Sequence, residues 1–193
     1  MEQSLNKNII IGLERISEAF KSLLREKAQE HGISPIQIQI LLFIAGHKRA
    51  LSNVSYLAKE FNVTKPTVSD AVKVLHKKGF VEKHASSQDS RSYTLSLSKK
   101  GHTLVNQLDS YSSPLNEALS SINSQKLSSL YSTITHLIAE LNQQGVLTIQ
   151  RNCQSCSFYE HQGDQHFCTY LKKQLKPDDF RIDCPEHELA TEG

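Results

Sequence analysis

Four cysteines stand in the last 41 residues of this 193-residue chain and none elsewhere: Cys153, Cys156, Cys168 and Cys184. Cys153-Gln154-Ser155-Cys156 is a C-x2-C pair, a spacing that lets two thiolates meet one ion from a tight turn. Eleven residues separate Cys156 from Cys168, and fifteen separate Cys168 from Cys184, which Pro185 follows. Two more thiolates arriving from such distances complete a tetrahedral set, and their charge favours a soft or borderline metal. The expectation is one four-cysteine metal centre. Zinc, the commonest occupant, is placed ahead of an iron–sulfur cluster, which the scattered second pair and the closing Cys-Pro also suit. Reactive thiols, or two disulfides in one of three pairings, are the remaining uses. His187, in Cys184-Pro185-Glu186-His187, is either a substitute ligand or a neighbour that supports the ligands.

The start of the chain, Met1 to Lys7, lacks the basic, apolar and small-residue order of a secretory signal. No apolar run approaches the ~18 residues of a membrane span. The expected location is therefore cytoplasmic, where such cysteines bind metal before they form disulfides. A segment as short as 147–193 cannot build a sufficient core by itself, so a cross-linking metal is physically useful there. Five aromatic residues, Phe158, Tyr159, Phe167, Tyr170 and Phe180, lie between the first and last cysteine. The boundary of this tail falls after Val146, which leaves 1–146 as the main domain.

The second concentration of chemistry is charge. Residues 48–101 carry eleven Lys/Arg against four Asp/Glu, whereas 151–193 carry five against eight. A basic middle in a chain of net charge +2 points to a polyanion-binding face. Within it, Val54, Leu57, Ala58 and Phe61 fall at i, i+3, i+4 and i+7, the apolar face of a short helix. Asn62 can take the left-handed turn that ends it, and Thr64 can cap the next helix, with Pro66 tolerated in the first turn. Val68, Ala71, Val72 and Leu75 repeat the same spacing, which turns Lys65, Ser69, Asp70, Lys73 and Lys77 outward. Two such helices over 53–78 match a helix-turn-helix, whose second helix enters the DNA major groove. Residues 80–97 then alternate as two strands around Ser86-Ser87-Gln88-Asp89-Ser90, a polar turn. That hairpin is a wing, and Arg91 near its tip can reach a narrow minor groove.

Asp89-Ser90-Arg91, followed by Leu95-Ser96-Leu97-Ser98-Lys99-Lys100-Gly101, resembles the wing signature of the MarR family of bacterial transcriptional regulators. Leu57-Ala58, Thr67-Val68-Ser69 and the spacing from Leu75 to Gly79 to Val81 carry the resemblance further, over about residues 5–146. Ser98 stands where the family usually has Thr and keeps the capping hydroxyl. The resemblance implies that Asp89 and Arg91 pair and that Arg91 reaches DNA. The DNA-contacting set is then Lys65, Thr67, Ser69, Asp70 and Lys73 on the helix, with Lys83, Asp89 and Arg91 on the wing. Asp70 departs from a purely basic face: it either accepts from a cytosine amino group, holds Lys73, or weakens phosphate contact.

Long helices flank this unit. Leu5, Ile9, Leu13, Ile16, Phe20 and Leu23 form one stripe over 5–30, and Ser34-Pro35-Ile36-Gln37 opens an almost wholly apolar core helix. A helix over 98–122, kinked or broken by Pro114, and another over 124–144 carry further stripes. These exceed what one small lobe can cover, so a homodimer is expected, as the resemblance also implies. The fold class is thus mainly α with a small β wing: a winged helix-turn-helix with dimerisation helices and a cysteine-rich tail.

The leading functional reading is a homodimeric, sequence-specific regulator that binds a double-stranded DNA operator, with the tail's metal controlling or stabilising it. It is not an enzyme: no Gly-rich nucleotide loop, Ser–His–Asp set or paired carboxylates stand out. Two alternatives stay open. One is a redox protein or electron carrier centred on the cysteines. The other is a regulator answering to a small-molecule effector, with His47, His102 and Tyr111 near its pocket and a purely structural zinc in the tail. A redox effector acting through the cysteines is the counterpart of the iron–sulfur reading.

Overall fold

The computed structural model describes residues 2–85 and 93–190. Helix α1 spans Glu2–Glu30 and α2 spans Pro35–Gly46. Ser34 opens α2 as its sequence suggests: its N–H donates to Gln37 Oε1 at 2.9 Å, and the buried Gln37 amide donates to the Ala71 carbonyl at 3.4 Å. Ile38, Ile40, Leu41, Phe43 and Ile44 of α2 are buried, so this helix is the centre of the core. Its lack of a polar face follows from having neighbours on nearly every side.

Helix α3, Val54–Glu60, and helix α4, Lys65–Lys77, pack on it. Asn53 caps α3 by accepting from the Tyr56 N–H, and Thr64 caps α4 by accepting from the Thr67 N–H. Asn62 takes the left-handed conformation between them, φ 51°. Leu57, Ala58, Val68, Ala71, Val72 and Leu75 are all buried, the face that the 3.6-residue period selects.

Strands β1, Val81–Ala85, and β2, Tyr93–Leu97, pair antiparallel, with Val81 opposite Leu97 and Ala85 opposite Tyr93. The ladder begins after Phe80, because the Phe80 N–H donates to the Leu75 carbonyl at 2.9 Å to close α4. The expected turn at 86–90, with Asp89 and Arg91, lies outside the described residues.

Helix α5 spans Lys99–Leu108, a 3-10 turn follows at Asp109–Ser112, and α6 spans Ser113–Ser120. The helix expected over 98–122, kinked or broken by Pro114, is thus broken into two. The break precedes Pro114, which sits in the first turn of α6 where no N–H is needed. At the start of α5, a Cβ on Gly101 would stand 2.1 Å from the Phe80 carbonyl oxygen. Ser98 joins the same corner, accepting from the Gly101 N–H at 3.0 Å and donating to the Gly79 carbonyl at 2.6 Å. The Ser-x-x-Gly signature is thus the seam that fastens the wing to α5.

Helix α7 runs Ser124–Gln143 behind an Asn123 cap. Beyond it lies a three-stranded antiparallel meander: β3 (Tyr159–Gln162), β4 (Gln165–Cys168) and β5 (Lys173–Leu175), in the order β3-β4-β5. The sequence reading did not foresee it. Its strands are three or four residues long and lack sustained alternation, so their period is invisible. Among the described residues, no helix is long and apolar enough to cross a membrane.

Candidate nucleic-acid interface and cysteine centre

The outward face of α4 is built as its periodicity requires. Lys65, Thr67, Asp70, Lys73 and Lys77 are exposed and Ser69 is half-buried. Thr67 sits in the first turn, its hydroxyl 2.8 Å from the Thr64 hydroxyl. Lys73 donates to Asp70 at 2.8 Å, and that bond holds Lys73 above the ordinary lysine pKa. Of the three roles open to Asp70, the free chain displays the pairing with Lys73. On the wing, Lys83 lies 4.6 Å above the Tyr93 ring, a cation–π contact that orients its ammonium. The structure thus gathers Lys65, Thr67, Ser69, Asp70 and Lys73 on one helix, with Lys83 on the adjoining strand.

The four cysteines come from separate elements to one place. Cys153 begins a 3-10 turn, Cys153–Ser155, with Cys156 at its end. Cys168 ends β4, and Cys184 lies in the closing loop. All four line a single cavity with Phe158, Tyr159, Tyr170, Leu171 and Leu175, and all four are free thiols. The Arg181 N–H donates to Cys153 Sγ at 3.3 Å, and Arg181 Nη1 to Cys184 Sγ at 3.8 Å. Burial raises the Cys153 thiol pKa; the Arg181 N–H opposes this, and the other three sulfurs add to it. The sulfurs surround the space without forming a finished cage. Among the described residues, no three His, Cys, Asp or Glu side chains are gathered closely enough to hold an ion. A set of four thiols, mutually repulsive once ionised, fits a site that a cation draws together on binding. His187 does not line this cavity. Its Nε2 is 2.9 Å from the Ser155 hydroxyl, so it braces the turn that carries Cys153 and Cys156.

The largest surprise is Arg151, two residues before Cys153 and only 6% exposed. Its guanidinium grips Glu60 of α3 with both ends, Nη1 to Oε2 at 2.6 Å and Nη2 to Oε1 at 2.9 Å. Nη1 also donates to the Tyr56 hydroxyl at 2.9 Å, and Nε donates to Asp183 Oδ1 at 2.6 Å. The Phe43 and Tyr56 rings stand 5.2 and 5.9 Å from its centre. Burial works against its charge, but Glu60, Asp183 and Tyr56 outweigh that and hold its pKa above the arginine norm. Burial likewise opposes the Asp183 carboxylate. His47 and Arg151 reverse the balance and keep it well below the usual range. His47, stacked on Phe43 at 4.0 Å, lies 3.2 Å from Asp183 and so belongs to this junction. None of these partners was legible as a set. The available signal was an arginine just before the first cysteine and an aspartate just before the last.

The tail also touches α7. Ser128 donates to Asp178 at 2.7 Å, and the Tyr131 hydroxyl donates to the Phe180 carbonyl. Other apolar groups of α1 and α7 are open. Leu5, Ile9, Ile10, Leu13 and Ile16 on α1, and Leu130, Ile134 and Leu137 on α7, are exposed in the single chain. His102 is exposed on α5, and Tyr111 is half-buried in the following 3-10 turn.

Residues 31–92 match the family model of the MarR family. No curated protein matches the chain in sequence. The MepR–DNA complex of S. aureus is 22% identical with a TM-score of 0.59, over 67% of this chain and 95% of its own. MepR of S. aureus in its DNA-binding conformation is 22% identical with a TM-score of 0.61, over 69% and 98%. MarR of Staphylococcus aureus in complex with salicylate and kanamycin is 20% identical with a TM-score of 0.63, over 72% and 94%. The likeness is one of fold: helices with a small antiparallel wing, as the sequence pattern implies.

Proposed function

We propose that this chain, whose residues 31–92 match the MarR family model, is a transcription regulator that acts as a homodimer on a near-palindromic DNA operator. The observation that carries this reading is the α3–α4 pair with a capped, polar and basic outer face, followed directly by the wing. Helix α4 enters the major groove by its N-terminal half, where Lys65, Thr67 and Ser69 stand nearest the base edges. Asp70 and Lys73 follow on the same face. Lys83 and Arg91 extend the contact from the wing, Arg91 into the minor groove with Asp89 orienting it. The MepR–DNA complex, whose fold this chain shares, supports DNA as the partner class. The open stripes of α1 and α7 support a second copy of the chain as the cover, which spaces two half-sites about one DNA turn, ~34–36 Å, apart.

In this reading Cys153, Cys156, Cys168 and Cys184 hold one metal centre, with zinc placed first and an iron–sulfur cluster as the other outcome. Bound metal supplies the cross-link that the tail's small core lacks. The Arg181 N–H and guanidinium stand ready to share the thiolate charge, and Phe158, Tyr159 and Tyr170 line the same cavity.

Selection of binding sites from random duplex DNA tests the first part. The expected result is an enriched site of two inverted halves, bound with a steep loss of affinity as salt rises. Enrichment of no site overturns the reading. Metal analysis and the visible spectrum of anaerobically purified protein test the second. One zinc per chain without colour supports zinc, iron with sulfide and a brown absorbance supports the cluster, and neither metal overturns the centre.

A further inference from the structure

We infer that Arg151 is a positioning residue that transmits the state of the cysteine centre to the helix-turn-helix, through Glu60 at the end of α3. The inference rests on the metal-centre reading above and adds its route of action.

The backbone at Arg151 is stitched to the cysteine-bearing loop. The Cys184 N–H donates to the Arg151 carbonyl at 2.9 Å, and the Cys153 N–H donates to the Arg181 carbonyl at 3.3 Å. Arg151 and Asp183 form an isolated parallel bridge. The strip that carries the first cysteine is therefore zipped to the strip that carries the last. Any event that draws Cys153 and Cys184 together, or releases them, acts first on this zipper.

The side chain of Arg151 leaves the zipper and ends on another module. Four of its five N–H groups are used, three of them on α3 through Glu60 and Tyr56 and one on Asp183. A bidentate guanidinium–carboxylate pair is directional, so it fixes angle as well as distance. Glu60 is the last residue of α3, and the chain passes from it through Phe61 to Val63 straight into the cap of α4. The Thr148 hydroxyl adds a second grip by donating to the Lys59 carbonyl at 2.8 Å. The far side of the same tail is tied to α7 at Ser128 and Tyr131. The cysteine module thus spans α7 and the root of the recognition helix within one chain. Closing or opening the centre changes the angle between them, and in a dimer that angle sets the spacing of the two recognition helices.

Glu60→Gln tests this, because it lies on the helix side, far in sequence from every cysteine, and keeps an acceptor oxygen while removing the charge. Wild type and variant are each prepared with zinc, stripped with a chelator, and reloaded with zinc. Operator affinity and metal content are measured at each stage, and circular dichroism checks the fold. The expected result is one zinc per chain in both proteins, a tenfold or greater change in wild-type affinity on stripping that reloading reverses, and a change under twofold in Glu60→Gln. A variant that responds like wild type overturns the route through Glu60. A wild type that binds zinc but shows no response overturns transmission while leaving the centre standing. A wild type that binds no metal overturns the centre itself. Should Glu60→Gln fail to fold, Glu60→Asp keeps the charge but draws the carboxylate back from the guanidinium by one methylene, and an undiminished response there overturns the inference.

Discussion

The two ends of the molecule are held together by different physics. In the winged helix-turn-helix lobe, nineteen buried apolar residues among those described, from α1 to α5 and the wing, form one cluster, with Ile38, Leu41, Leu57, Val72, Leu75 and Leu95 wholly out of water. In the tail only Leu175 is a buried apolar residue among those described, and the other buried side chains, Arg151 and Asn152, are polar. The lobe is stabilised by apolar burial, at about 25 cal/mol per Å² of surface removed from water. The tail relies on directed bonds: the strand meander, the Arg151 junction and four thiols round one cavity. A hydrogen bond contributes only about 0.5–1.5 kcal/mol net, and a buried ion pair regains little beyond the desolvation of its charges. A module made of them stays conditional on whatever closes it, which is the property the proposed sensing role requires.

Removing the proposed metal should separate the two regions most sharply. Structural zinc in small domains contributes ~10 kcal/mol or more. Chelation is expected to abolish amide protection across β3 to β5 while protection in α2 and α4 persists, as read by hydrogen exchange. Equal protection in both states would erase the contrast.

The next largest effect falls at the junction. Glu60→Ala leaves a buried guanidinium half-paired, at a cost of ~3–5 kcal/mol. Thermal unfolding should show the tail transition falling well below that of the lobe, and a single unchanged transition would mean that the junction adds nothing. Gly101→Ala tests the lobe's opposite character, close packing. A Cβ 2.1 Å from a carbonyl oxygen must push the wing from α5, for ~3 kcal/mol of stability, with metal content unchanged.

At the proposed DNA-contacting face of α4 the effects are smaller and specific to binding. Lys65→Ala should lower the slope of log affinity against log salt by ~1 without altering thermal stability. Asp70→Asn should have the smallest effect: it frees Lys73 from its 2.8 Å pair and raises affinity most at low salt, where phosphate contact is strongest.

Much of the lobe was legible because its rules are local. The period of Val68, Ala71, Val72 and Leu75, the Thr64 cap and the left-handed Asn62 each depend on residues within one or two turns. The α5–α6 break shows the margin of such reading. Pro114 announced it, but the chain bends earlier, where a 3-10 turn begins at Asp109 so that the proline can start a helix instead of interrupting one. The four cysteines were also legible, since their type and spacing alone limit the chemistry.

What the chain's own order determined is therefore the elements of the lobe, the outward residues of α4 and the grouping of four cysteines in the tail. Tertiary structure alone decided what that site is joined to. Arg151 sits in no periodic pattern, and its partners Glu60 and Tyr56 lie 91 and 95 residues away, while His47 and Asp183 are 136 apart. A buried charge is tolerable only when several such groups converge at once. That convergence is a property of packed surfaces, so no local stretch of sequence could display the junction between the cysteine-bearing tail and α3.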